Sequence, residues 1–205
     1  PGSTSYTLIQ GANYVHTLVM LDGAPLNKIG NSSDVGMVPA RIIDRIEIVK
    51  GSASSAWGSA LGGVINVITK APDKRQVSGA LTSSIGDRTT NDSSAELSGT
   101  IKRLGYYLSA GYLGSNVLLS GKSLYSNNTY AKLTYDLPTD GQIWATINQT
   151  RVNQDENYTS KLQPYDFFNE HSDQHYLDAT LGIRRQLTDK LGIEWLSFYT
   201  NRNRY

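Results

Sequence analysis

Residues 45–70 read RIEIVKGSASSAWGSALGGVINVITK, and this stretch decides the fold. Two runs rich in β-branched residues, 46–49 and 64–68, enclose a segment of small residues. The pattern predicts a strand, a tight irregular turn and a second strand. Glycine tolerates positive φ and close backbone approach, so we expect four glycines to shape the turn: Gly51, Gly58, Gly62 and Gly63.

A phosphate-binding loop is an alternative interpretation of a glycine-rich turn between two strands. In that motif a Lys and then a Ser or Thr come directly after the last glycine. Here Lys50 precedes the glycines, so its side chain is misplaced for a phosphate group. The spacing therefore does not favour a nucleotide site.

The composition narrows the possible classes of function. The 205 residues carry 19 Lys and Arg against 18 Asp and Glu, a formal charge of +1. The chain thus lacks the electrostatic footprint of a nucleic-acid-binding protein. It has 13 Tyr against 3 Phe. Tyr combines an apolar ring with a hydroxyl that can contact water, and such residues are typical of membrane interfaces.

Other classes are excluded by what the sequence lacks. It contains no Cys, so disulfides, thiol catalysis and Cys-ligated metals are ruled out. No apolar run is long enough for a transmembrane helix, and the first residues do not resemble a signal peptide. If the protein is exported, we expect its signal to lie outside this chain.

The first 70 residues predict a small mixed α/β unit. Two short strands are expected within 6–11 and 17–21, the second ending at an Asp22-Gly23 turn. Residues 28–38 are rich in turn formers and predict a loop. Residues 39–44 predict one helical turn with Pro39 at its first position.

After a polar linker at 71–76 the pattern changes to long strands with a period of two. In 92–102 the even positions are polar, while the odd positions are apolar or small, and the same split recurs in 128–137 and 174–187. Such long strands exceed the usual globular length and suit an oblique crossing of a bilayer. The predicted strands are 77–86, 92–103, 106–115, 128–137, 142–152, 174–187 and 192–205.

The predicted connections alternate in length. Those at 104–105, 138–141 and 188–191 are short, those at 116–127 and 153–173 are long, and the first, at 87–91, is intermediate. Short turns on one rim and long loops on the other are typical of an outer-membrane β-barrel. Tyr106 and Tyr112 lie near the two ends of one apolar face, which fits an interfacial girdle, although Tyr also suits any half-buried strand. Seven strands cannot close a barrel of this type, because bacterial single-chain barrels have even strand numbers. We therefore interpret the chain as an internal piece of a longer protein.

The combination of these segments resembles the TonB-dependent outer-membrane receptor family. The segments that carry the resemblance are LVMLDGAPLN at 18–27, IDRIEIVKG at 43–51 and SSAWGSALGGVINVIT at 54–69. The strands after residue 76 match the family only in architecture. Where family members commonly have Arg, this chain has Lys50, which cannot form a bidentate pair with a carboxylate.

The resemblance implies a barrel of about 22 strands whose lumen is filled by a plug domain. Residues 1–70 would form the C-terminal part of the plug, 71–76 a linker and 77–205 about seven barrel strands. Such receptors lie in the outer membrane of Gram-negative bacteria, in contact with its lipid, and import a ferric siderophore, haem or cobalamin with energy relayed by TonB. The implied partners are therefore TonB, through a segment missing from this chain, and a small metal chelate or corrinoid.

The resemblance implies neither an enzyme nor a bound cofactor. A passive outer-membrane porin or surface-binding barrel and a soluble β-rich binding module remain as alternatives.

The resemblance also implies site residues. The loop after Asp22-Gly23 would help to hold the ligand, although polar residues of this kind are also common in solvated turns. Its candidate ligand-binding residues are Asn27, Lys28, Ile29, Asn31, Ser32, Ser33, Asp34 and Met37. Charges that would join plug to barrel are Arg45, Glu47 and Lys50, which could equally be generic lumen-facing charges.

The predicted loop at 153–173 supplies a second set of candidates. Exposed aromatic rings near acidic and imidazole groups are suited to haem, an aromatic siderophore or a metal complex. This set is Tyr158, Tyr165, Phe167, Phe168, His171 and His175. The two histidines have the spacing of a helical metal pair, but they are expected at a junction between loop and strand, so no metal site is assigned.

Overall fold

The structure, a computed structural model, consists of two β-sheets. It describes residues 7–9, 11–26, 38–51, 60–87, 89–116, 123–159 and 167–204. The small sheet has four strands in the order β2-β1-β4-β3 and the large sheet has seven in the order β11-β10-β9-β8-β7-β6-β5. Helical structure within the described ranges is limited to the 3-10 turns Tyr14–His16 and Ala40–Ile42. No helix in this part of the chain is long and apolar enough to span a membrane.

The small sheet is mixed. Its strands are β1 Thr17–Leu21, β2 Ala24–Pro25, β3 Ile43–Lys50 and β4 Gly63–Thr69. Strand β1 pairs in parallel with β4, and the other neighbours are antiparallel. The turn between β1 and β2 has positive φ at Asp22 (48°) and Gly23 (83°), as a two-residue type I′ hairpin requires. The predicted Asp-Gly turn and the predicted pair of strands around the glycine-rich segment are confirmed.

The connection between β3 and β4 brings backbones close together. Gly51 and Gly63 have φ values of 89° and 135°, a region that L side chains rarely adopt. A Cβ on Gly63 would also collide with the Val49 carbonyl, and one on Gly62 would collide with the Ala12 side chain. Gly58 lies outside the described residues.

The core lies between the small sheet and the large one. Val19, Leu21 and Val67 from the small sheet pack with Ile42 and with two rings of the large sheet, Tyr107 and Tyr130. Both rings are almost fully buried, and their centroids lie 5.9 Å apart. Burial of such large rings is a major source of stability, so these two tyrosines hold the sheets together.

The large sheet is an antiparallel meander in which each strand pairs with its sequence neighbours. Its strands are β5 Ser78–Gly86, β6 Thr90–Ile101, β7 Leu104–Ser115, β8 Ser123–Leu137, β9 Gly141–Thr159, β10 Phe167–Thr188 and β11 Leu191–Arg204. The predicted number and order of strands in this region are confirmed.

The two faces of the large sheet have opposite polarity. The inner face, toward the small sheet, buries polar side chains such as Asn148, Thr180 and Asp178. The outer face exposes apolar side chains: Leu133 and Leu181 are each 47% exposed. A water-soluble sheet has the reverse arrangement, whereas a membrane barrel has an apolar outside and a polar lumen. The period-two split of the sequence is therefore confirmed.

The predicted long loops are wrong in extent. Strand β8 begins at Ser123, and strands β9 and β10 contain 19 and 22 residues and leave only 160–166 between them. The sequence stops alternating between polar and apolar residues where these strands pass beyond the apolar outer face. Ladder hydrogen bonds nevertheless continue, since Phe167 pairs with Thr159. From β6 onward the connections still alternate, with tight turns at 102–103, 138–140 and 189–190. The first connection, 87–89, is as short as these turns.

The prediction of a strand within 6–11 is also wrong for the residues of that range that the structure describes. Residues 7–9 are not in a strand. The chain turns here, because the Ala12 amide donates to the Ile9 carbonyl at 2.9 Å and Gly11 has a φ of 76°. Ile9 is buried in the core of the small sheet, which explains the apolar character that suggested a strand.

Candidate functional site

The interface between the small sheet and the inner face of the large sheet contains a buried polar cluster centred on Asp22. Its carboxylate accepts hydrogen bonds from the Thr69 amide at 2.9 Å and the Thr69 hydroxyl at 2.6 Å. From the large sheet, Lys132 Nζ lies 3.1 Å from Asp22 Oδ2 and donates to Thr69 Oγ1 at 2.6 Å. The side chains of Lys132 and Asp22 are only 12% and 10% exposed, so each charge depends on the other for its compensation.

Tyr130 completes this cluster from strand β8. Its hydroxyl lies 2.8 Å from Thr69 Oγ1 and donates to Asp22 Oδ2 at 3.3 Å. The left-handed backbone of Asp22 places the carboxylate at the end of the β1–β2 hairpin, where it reaches both Thr69 and the large sheet. The β1–β2 turn is thus fixed to the end of β4 and to strand β8 of the large sheet.

A second ion pair continues the interface next to the first. Lys70 Nζ lies 2.8 Å from Glu96 Oε2 on β6, and the Tyr107 hydroxyl donates to the same oxygen at 3.0 Å. Lys70 follows β4 directly, so the end of the small sheet is attached to β6 through this pair and to β8 through Lys132 and Tyr130.

The segment after β4 also follows the inner face. The Asp73 amide donates to Ser98 Oγ at 2.8 Å, and the Thr100 hydroxyl donates to the Asp73 carbonyl at 2.7 Å. The Arg75 side chain beside Asp73 holds the pKa of that carboxyl well below its usual range through hydrogen bonds. Residues predicted as a polar linker are therefore held by side-chain and backbone hydrogen bonds.

A third ion pair attaches the small sheet nearer to the other rim. Arg41 Nη2 lies 3.0 Å from Asp92 Oδ1, and Arg41 Nη1 donates to the Ser93 carbonyl at 3.3 Å. Asp92 and Ser93 lie near the start of β6, on the rim opposite the tight turns. Arg41 was not singled out by the sequence, which predicted only a helical turn around it.

A recess of about 450 Å³ lies between the two sheets beside the Asp22 cluster. Arg45 and Asn66 border it from the small sheet, and Trp144, Arg184 and Glu194 border it from the large sheet. The Arg184 guanidinium lies 6.0 Å from the centroid of the Trp144 ring. A second recess of about 560 Å³ at the rim of the tight turns shares Arg184 and Glu194 with the first, so polar space reaches that rim.

The predicted plug–barrel charges lie on β3. Arg45 is hydrogen-bonded to Asp44 at 3.0 Å and to Glu47 at 2.9 Å, both on its own strand. The hydrogen bond to Asp44, and to a smaller extent the one to Glu47, raises the pKa of the Arg45 guanidinium. Arg45 also borders the recess. Lys50 lies at the end of β3 and is exposed, so the structure brings Arg45 and Glu47 together but places Lys50 apart from them.

The predicted ligand-binding residues of the first set all lie within 27–37, outside the described residues. In the second set, Tyr165 is outside them as well. Tyr158, Phe167 and Phe168 lie in strands β9 and β10 rather than in a loop, and their side chains are outside the described part.

The histidines also lie within β10 and not at a loop junction. Four residues along a strand separate their Cα atoms by about 13 Å, so His171 and His175 are not a metal pair. Each binds a different carboxylate: His171 lies 2.7 Å from Asp155 and His175 3.1 Å from Asp173. Within the described ranges no three His, Asp or Glu side chains are grouped to hold a metal ion.

A Ser, Asp and His are connected near this position, but in the wrong order for nucleophilic catalysis. The Asp155 carboxylate accepts from Ser123 at 2.7 Å and also binds His171. In a catalytic triad the imidazole lies between the hydroxyl and the carboxylate. Here the carboxylate lies between them, so no imidazole is positioned to take a proton from the hydroxyl.

The interface residues that sequence reasoning missed had a partial signal. The period-two split already placed Tyr130 and Lys132 on the polar side of their strand, which proves to be the inner face. Nothing in the local sequence indicated that Asp22, more than a hundred positions earlier, would be their partner.

The small mixed sheet packs against the polar inner face of the large antiparallel sheet, and the outer face of the large sheet is apolar. This is the arrangement of a plug inside the wall of an outer-membrane β-barrel. Residues 1–64 match the family model of the TonB-dependent receptor plug domain. This part of the chain is therefore similar to the plug domain of TonB-dependent receptors, and the remainder has the fold of the barrel strands that follow a plug. TonB-dependent receptors are transporters and not enzymes.

Solved structures agree with this fold. The ferric-catecholate import receptor Fiu of E. coli K12 superposes with a TM-score of 0.76 at 15% identity, over 96% of this chain and 33% of that one. The siderophore receptor PirA of Acinetobacter baumannii gives 0.74 at 18% identity, over 96% and 33%. PirA of Pseudomonas aeruginosa gives 0.69 at 19%, over 96% and 35%. The chain thus spans about a third of the length of these receptors.

Proposed function

We propose that this chain is part of a TonB-dependent receptor that binds a ferric siderophore at the outer membrane and imports it with energy relayed by TonB. In this proposal residues 1–70 belong to the plug, 71–76 form the linker and 77–205 belong to the barrel of a Gram-negative outer membrane. Several structures of similar fold are described as siderophore or ferric-catecholate receptors, which favours a siderophore over haem or cobalamin.

One observation carries the proposal. The small sheet is fixed to the polar inner face of a wall whose outer face is apolar, through buried ion pairs such as Asp22 with Lys132. A passive porin needs an open lumen, whereas this sheet occupies the inside of the wall. The plug must therefore rearrange before a solute passes, and such a rearrangement requires energy.

The ligand contacts that we propose lie in residues 27–37 of the plug. Amide, hydroxyl and charged groups in this segment can orient a chelate, and Ile29 and Met37 can supply apolar contact. Arg45, which borders the recess toward the barrel, would help to join plug and barrel together with Glu47 and Lys50.

The experiment is a deletion of residues 28–37 in the full-length receptor. Receptors of similar fold have been solved with enterobactin and with ferripyoverdine, so these ferric chelates are the probes. We expect one of them to bind the intact receptor and to lose high affinity for the deletion variant, while heat-modifiable gel migration shows a folded barrel in both. Alanine at Asp189 and Lys190, in a tight turn on the opposite rim, is the matched control. Unchanged affinity after the deletion would contradict the assignment of this segment.

Energised import is tested separately from binding. Uptake of the bound iron chelate should stop in cells that lack TonB, while binding at the cell surface persists. Uptake that continues without TonB would support a passive barrel.

A further inference from the structure

Gly111 forms the floor of a notch on the inner face of the large sheet. It lies in the middle of β7, and a Cβ built on it would coincide with the guanidinium of Arg41. Its φ is not among the positive values of the chain, so the strand itself does not require glycine here. Glycine inside a strand often marks a site where another group approaches closely, and Arg41 is that group.

The notch holds the guanidinium from several sides. The Asp92 carboxylate accepts a hydrogen bond from Arg41 Nη2 at 3.0 Å, and the Ser93 carbonyl accepts one from Arg41 Nη1 at 3.3 Å. The Arg41 side chain is only 19% exposed. The planar fork of Arg suits two acceptors at once, whereas Lys presents a single point charge. The two acceptors and the floor come from neighbouring strands, β6 and β7, that are paired in this region.

This attachment is independent of the other ion pairs. Asp22, Thr69 and Lys70 attach the β1–β2 turn and the end of β4. Arg41 instead precedes β3 and reaches the wall near the opposite rim. We propose that Arg41, Asp92 and Gly111 form a latch that holds the plug closed against the barrel wall.

The latch can be tested by ion conductance of the full-length receptor in planar lipid bilayers, which reports an undocked plug without requiring any transported solute. Arg41→Gln should raise the undocked fraction roughly tenfold, as expected for loss of a charged hydrogen bond. Asp92→Asn should raise it by less, because the Asp92 side chain is 49% exposed and Arg41 keeps its bond to the Ser93 carbonyl. The double variant should be no worse than Arg41→Gln alone, because Asp92 acts only through Arg41. Arg41→Lys should give an intermediate conductance.

Gly111→Ala gives the sharpest test. With Arg41 present, the new methyl group should displace the guanidinium and raise the conductance. In an Arg41→Ala background the same substitution should have no further effect, since the notch is empty. Gly86→Ala is the matched control, because its Cβ would lie 3.5 Å from Thr90 in ordinary contact.

Two outcomes would overturn the proposal. An equal effect of Gly111→Ala with and without Arg41 would show that the glycine serves the strand and not the latch. Wild-type conductance in both Arg41→Gln and Asp92→Asn would show that the contact does not hold the plug. Because these two variants leave β7 unchanged, the test stands even if Gly111→Ala does not fold.

Discussion

Lys132 is the residue on which the buried interface depends most. It is the only cation within hydrogen-bond distance of Asp22 among the described residues, and both side chains are nearly excluded from solvent. Removal of one partner of a buried pair leaves the other charge uncompensated, which costs more than the pair itself contributes.

We therefore expect Lys132→Met to destabilise the full-length receptor by ~3 kcal/mol, measured by calorimetric unfolding in detergent. Lys190→Met, in an exposed tight turn, is the matched control and should change little. The double variant Asp22→Asn with Lys132→Met should lose less than the sum of the single losses. An equal effect of Lys132→Met and Lys190→Met would refute the role of the pair.

For single residues, the sequence predicted local turn and strand positions better than it predicted which residues are in contact. The Asp22-Gly23 turn and the inward side of Tyr130 follow from local rules of turn and strand geometry. The ion pair with Lys132 joins residues far apart in the chain, and only the docking of the two sheets brings them together. Arg41 was missed for the same reason, since its partner Asp92 looks like any polar strand residue.

At the scale of elements, each strand of the large sheet has one face for lipid and one for the lumen. Leu133 and Thr134 are neighbours on β8 with opposite orientations: Leu133 is exposed on the outer face, and Thr134 borders the polar recess. Strand alternation alone predicted this difference, because the period of two is maintained over residues 128–137 of β8.

This difference can be measured with a single pair of variants. Leu133→Arg should destabilise the receptor in lipid vesicles by roughly 1–3 kcal/mol, because it places a charge within the apolar band, level with Tyr106 and short of the middle of the band. Thr134→Arg should cost much less, since its side chain enters polar space. Urea unfolding of the full-length receptor in vesicles gives both values, and similar losses for the two variants would contradict the assigned faces.

The ends of the strands were predicted poorly because two physical rules diverge there. Alternation of polar and apolar residues reports the environment of a strand, whereas ladder hydrogen bonds define the strand itself. Beyond the apolar band both faces are wet, so β9 and β10 continue without a periodic signal. For this reason His171 was placed in a loop and His175 at the very start of a strand, although both lie inside β10.

At the scale of the whole molecule, the large sheet has two edges, β5 and β11, that pair with no further strand in the part of the chain that the structure describes. Its outer face also exposes apolar side chains such as Leu81, Leu181 and Trp195. Unpaired edges template association between chains, and large apolar patches drive aggregation in water.

The polypeptide of residues 1–205 expressed alone should therefore aggregate in aqueous buffer, because neither the edges nor the outer face is covered. A non-ionic detergent should reduce the aggregation by covering the outer face, but association through the edges should persist, since detergent supplies no backbone partners. Size-exclusion chromatography with light scattering distinguishes these states. A monodisperse monomer in buffer without detergent would contradict the membrane assignment of the outer face, whereas a monomer only in detergent would show that the edges are protected by the side chains beside them.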